Sequence, residues 1–78
     1  MPVLVRLGKK LGLLTTPARD AAKQWAEKTR QYETGGHKLG DAAIAAARDV
    51  FHADFKATHY DHGDGDPIEE LLGAVEQL

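Results

Sequence analysis

The chain contains no cysteine and no serine. Without cysteine there is no disulfide, no thiolate nucleophile and no cysteine-type zinc site, and the composition fits a reducing compartment. Without serine the usual hydroxyl nucleophile is also missing, and threonines lacking a positioned base are weak replacements. No catalytic constellation or cofactor motif stands out, so a non-enzymatic protein without a cofactor is expected.

Long apolar runs are absent too. No stretch approaches the ~20 residues of a membrane-spanning helix. In the opening MPVLVRLGKKLGLL the longest uncharged apolar run is PVLV, against the roughly 7–15 residues of a signal-peptide core. A cytoplasmic protein is expected. At 78 residues the chain is one domain, able to bury only about 60% of its unfolded surface. Domains of this size often gain support from a partner subunit.

Net charge is −2, unevenly placed. Residues 1–38 hold eight Lys/Arg against three acids, and residues 39–78 hold two against nine. Either the two halves attract one another, within one chain or head-to-tail in a dimer, or the basic half serves an anionic partner.

Four segments carry helical signals. In Val3–Leu14, Leu4, Leu7, Leu11 and Leu14 share one helical face with Arg6 and Lys9 opposite, whereas VLVRL is β-branched and Gly8 and Gly12 weaken a helix. Helix is preferred over strand there. The second segment predicts a helix over 17–33, with Thr16 as N-cap and Pro17 at the first helical position. Its stripe is Ala18, Ala21, Ala22, Trp25, Thr29 and Tyr32, and TGG supplies the stop. The third runs from about Asp41 as N-cap to about Tyr60, with Ile44, Ala47, Phe51, Phe55 and Thr58 in line. The fourth opens on DPIE, with Asp66 capping, Pro67 at the first position and Glu69 completing a capping box. Ile68, Leu71, Leu72, Val75 and Leu78 form its apolar face. The fold class is all-α, a small three- or four-helix bundle.

The stretch FHADFKATHYDHGDGDP concentrates three of the four histidines and four aspartates. On a helix, His52 and His59 lie about 10.5 Å apart along the axis, too far to chelate one ion. The nearest metal-ligand grouping is His59 with His62, joined by Asp61, Asp64 or Asp66. A calcium loop begun at Asp61 fails, since Gly63 and Gly65 fall on ligand positions and Leu72 replaces the bidentate glutamate. Turn chemistry accounts for the same residues: glycines permit positive φ, and aspartates bond local backbone. No metal is expected; His59, His62 and Asp64 are the residues a metal would use.

RLGKKLGLLTTPARDAAKQW resembles the helix-turn-helix segment of Cro-type and repressor-type regulators over about twenty residues. Leu7, Gly8, Leu11, Gly12 at the turn and Leu13 carry the resemblance, with Pro17 opening a recognition helix. The sequence departs from the pattern at Ala18 and Ala21, where the family places Val, Ile or Leu, and few residues precede Val3 for a supporting first helix. The resemblance implies Thr15, Thr16, Arg19, Lys23 and Gln24 facing the groove of nucleic acid, with Lys9 and Lys10 near phosphates.

The expectation weighted first is a helical protein-interaction module acting as regulator, adaptor or inhibitor of a partner protein. A homodimer is expected, because the Ile68–Leu78 and Phe51–Phe55 stripes would otherwise stay partly exposed. Nucleic-acid binding through Lys9, Lys10, Arg19 and Lys23 is the alternative.

Overall fold

The computed structural model describes residues 2–60 and 67–78. Among them the chain forms four α-helices and no strand: α1 (Val3–Leu11), α2 (Arg19–Thr34), α3 (Leu39–Phe51) and α4 (Ile68–Glu76). Single 3₁₀ turns at His52–Asp54 and Ala57–His59 follow α3. The fold is a small all-α bundle of four helices, and Val3–Leu11 is helical rather than strand.

The α2–α3 hairpin is its densest part. Ala42, Ala43, Ala46 and Ala47 are all fully buried. With only a methyl group at each position, α3 lets α2 approach closely, and the large side chain at the contact comes from α2. Trp25 is 0% exposed, and its indole Nε1–H donates to the Ala43 carbonyl at 3.0 Å. The Thr29 hydroxyl, also buried, donates to the Trp25 carbonyl one turn earlier at 2.8 Å. No polar atom is therefore buried without a partner in this seam. The expected stripe on α3 is rotated: the alanines face inward, while Ile44, Val50 and Phe51 are half-buried at the edge of the core and Thr58 is exposed.

The hairpin turn follows from TGG. Gly36 sits at φ 103°, the Gly36 N–H donates to Glu33, and the His37 N–H reaches back to Tyr32. This bond pair is a Schellman motif, which needs a left-handed residue that glycine supplies without strain. α1 ends the same way, with Gly12 at φ 72°, its N–H donating to Lys9 and that of Leu13 to Gly8.

Helix starts differ from the sequence expectation. α2 begins at Arg19 with Ala18 at the cap, and no side chain caps it. Thr16 and Pro17 precede the helix because Pro17 is buried against α1; a Cβ added at Gly8 would lie 3.2 Å from the proline Cδ. Gly8 is thus a place of close approach rather than a flaw in α1. α3 starts at Leu39, capped by Lys38, which puts Asp41 in the first turn, where a carboxylate suits the helix dipole. Pro67 takes the cap position of α4 instead of its first residue; the cap expected from Asp66 lies outside the described residues.

α3 also stops at Phe51, nine residues before the expected end. His52 turns to φ 48°, ψ −119°, and the chain continues through the two 3₁₀ turns, which bury Phe55 and Tyr60. Long-range backbone contacts fix this route: the Leu14 N–H points to the Asp54 carbonyl at 3.4 Å, and Gly12 packs against the backbone of His59. Periodicity is local, and these contacts override it.

Ion pairs join the basic and acidic halves. Arg6 of α1 meets Glu70 of α4 at 3.4 Å. Arg30 of α2 makes a two-pronged contact with Glu76 of α4, at 3.1 and 2.9 Å. The Tyr32 hydroxyl donates to Asp49 at 2.5 Å. The charge asymmetry of the sequence is in part spent inside one chain. α4 buries Leu71, Leu72 and Val75, and Phe55 is buried too. Within one chain these residues are covered, while Phe51, Ile68 and Leu78 of the same stripes stay half-buried.

Candidate functional site

The apolar face Leu4–Leu7–Leu11–Leu14 runs past the end of its helix. Leu7 and Leu11 are fully buried under α1. Gly12 then reverses the backbone, and Leu14 emerges from the connecting loop 64% exposed, the large apolar side chain on the surface of the described residues. Gly12 and Leu13 separate a core leucine from a surface one.

The loop holding Leu14 is anchored at several points. Leu13 bonds back to Gly8, and Leu14 N–H faces Asp54. A Cβ at Gly12 would fall 2.2 Å from the His59 carbonyl oxygen, so the two backbones touch where any other residue would force them apart. Leu13, Thr15 and Thr16 form a wall between two cavities. One, of about 400 Å³, is bordered by Lys9 and His59; the other, of about 340 Å³, by Val50, His52 and Asp54. Large apolar groups held on a firm backbone contribute to association with little ordering cost.

A larger groove, about 650 Å³, lies between α2 and α4, floored by Ala26 and bordered by Lys23, Glu27, Arg30 and Glu76. Its central charges engage one another. Arg30 is held above its ordinary pKa by hydrogen bonds to Glu76 and then Glu33, and the Glu76 carboxyl is lowered mainly by its bond from Arg30. On the far side of α2, the hydrogen bond to Asp49 raises the Tyr32 phenol. None of these groups is set up to accept or release a proton near neutrality.

The four cations of the nucleic-acid alternative are dispersed by the fold. Lys9 is exposed beside the 400 Å³ cavity. Lys10 is 7% exposed, with its ammonium 5.6 Å from the centroid of the Tyr60 ring, a cation–π contact that stabilises the fold. The Arg19 guanidinium donates to the Leu78 carbonyl. Lys23 is exposed at the groove shared with Glu27 and Glu76. The α1–α2 connection is seven residues, Gly12 to Ala18, where helix-turn-helix units use about 3–4.

Of the metal-ligand grouping, His59 is exposed on the second 3₁₀ turn, while His62 and Asp64 lie outside the described residues. Among the described residues no group of three His, Asp or Glu is gathered to hold an ion, and no helix is long and apolar enough to cross a membrane.

Sequence reasoning placed Leu14 in a helix stripe and so missed it as a surface residue. The signal that could have found it is Gly12, read as a helix stop rather than as a weak helical residue. No family model, no curated protein and no solved structure matches this chain.

Proposed function

We propose that the chain is a non-enzymatic helical interaction module, a regulator, adaptor or inhibitor that engages a partner protein through Leu14 and the loop that carries it. The observation behind this reading is the exposure of Leu14 on an anchored loop between two cavities. An exposed leucine alone is ordinary; here it borders the 400 Å³ cavity, where a partner's side chain has room, and its backbone is already held. The cysteine-free composition fits work in the cytoplasm. A homodimer would pair the half-buried Phe51, Ile68 and Leu78 of two copies.

The nucleic-acid alternative retains Lys9 and Lys23 as exposed cations, with Lys23 beside two carboxylates. It predicts a gel shift with duplex DNA or RNA at about 50 mM salt that weakens steeply as salt rises; absence of any shift retires it.

Affinity capture from the native host with the wild-type chain and with Leu14→Asp, quantified by mass spectrometry, tests the main reading. Proteins held by the wild type and lost with Leu14→Asp are expected, at unchanged melting temperature. Identical sets of captured proteins would show that the loop is not the contact surface.

A further inference from the structure

Taking the Leu14 loop as the contact surface, we propose that the partner offers an acidic side chain next to an aliphatic one. The aliphatic group packs on Leu14, and the carboxylate enters the neighbouring 400 Å³ cavity. Among the described residues, the polar side chains bordering that cavity are Lys9, Thr15, Thr16 and His59. Each of these four can donate a hydrogen bond, one is a lysine, and none of the four is a carboxylate. Leu13, Leu14 and Val5 supply its apolar part. The carbonyls of Gly8 and Lys9, which would otherwise present negative charge at the end of α1, accept the Leu13 and Gly12 amides.

The other side of the loop is different. There the cavity is bordered by Asp54 and His52 with Val50 and Phe51, so an acidic partner group is disfavoured on that side and favoured on the Lys9 side. The loop is thus polar in a directional sense, and charge complementarity of this kind governs encounter and register more than raw affinity. Lys10 adds nothing to it, because its ammonium is turned onto Tyr60.

The test uses the full chain and an array of synthetic peptides built around a common Leu-Leu pair, flanked on one side by acidic, neutral or basic residues. Acidic peptides should bind most tightly. Lys9→Glu should weaken them about fivefold or more and move the preference toward basic peptides, since reversing one flanking charge converts attraction to repulsion. His59→Ala, which keeps the Cβ that packs near Gly12, should weaken acidic peptides to a smaller degree. Raising salt should narrow the difference between acidic and neutral peptides. Equal binding of acidic and neutral peptides, an unchanged preference in Lys9→Glu, or no binding by any peptide would each overturn the acidic-partner proposal. If Leu14→Asp still abolishes capture of a host protein in those cases, the loop remains the contact surface and only its charge preference is wrong. If Leu14→Asp changes neither capture nor peptide binding, both fall.

Discussion

The α2–α3 hairpin and the edge formed by the α1–α2 loop with the two 3₁₀ turns are held together by different means. The hairpin is side-chain packing: Trp25 of α2 shares one buried cluster with Ala43, Ala46 and Ala47 of α3, and the indole also bonds the Ala43 carbonyl. The edge is backbone against backbone, with Gly12 on His59 and the Leu14 amide toward Asp54. Removing a side chain should therefore hurt the first, and adding one should hurt the second. The edge also presents its leucine outward, while the hairpin buries Trp25 completely and leaves Ile44, Val50 and Phe51 half-buried. The fully buried side chains gather in the first region, and the exposed leucine lies in the second.

The largest effect expected is that of Trp25→Ala. It empties the seam and removes the donor to Ala43, at a cost of about 3–5 kcal/mol. For a domain whose whole stability is of order 5–15 kcal/mol, that leaves little folded chain at ambient temperature. Thermal unfolding followed by circular dichroism is the measurement; a cooperative transition within a few degrees of wild type would contradict the packing described.

Gly12→Ala comes next. It imposes a positive φ on a residue with a side chain and drives a methyl into the His59 carbonyl, a strain of about 1–3 kcal/mol before any displacement is counted. The contrast lies in where the damage appears. Amide exchange should quicken at Leu13, Leu14 and His59 while the hairpin amides stay protected, because a local opening does not require global unfolding. Uniform loss of protection across all four helices would mean that the edge and the hairpin are one cooperative unit.

The smallest effect concerns the Arg30–Glu76 pair. Both side chains are more than a third exposed, so the pair contributes below about 1 kcal/mol despite its two-pronged geometry. Glu76 is lowered in the folded state, chiefly by the hydrogen bonds from Arg30. Its contribution is therefore present above the ordinary glutamate pKa and lost as pH falls through the lowered folded value. Glu76→Gln should reduce the melting temperature slightly at about pH 7, by an amount that shrinks toward about pH 3 and in high salt. A difference that grows on acidification would reverse the assigned sign.

What the sequence made legible divides along the same line. The hairpin could be read, since Ala22, Trp25 and Thr29 recur at helical spacing and TGG marks the turn, all local signals. The α4 face was equally clear, and Leu71, Leu72 and Val75 are buried as its pattern required. The edge could not be read. Phe51, Phe55 and Thr58 continue the spacing of α3, yet the helix ends at Phe51, because the following residues answer to Gly12 and Leu14, roughly forty positions earlier in the chain. Pro17 looked like the opening of a helix and is instead packing on Gly8. Lys10 looked like a phosphate ligand and lies on Tyr60. In each case the deciding neighbour is distant in sequence, and no spacing rule encodes it.

The central claim is that the edge, and not the helical surface, meets the partner. A photo-crosslinking residue placed at position 14, compared with one at the exposed Gln24 on α2, tests it in the native host. A discrete covalent adduct from position 14 with none from position 24 is predicted, and its yield should fall when Lys9→Glu is added. Equal adducts from both positions, or an adduct from position 24 alone, would contradict it.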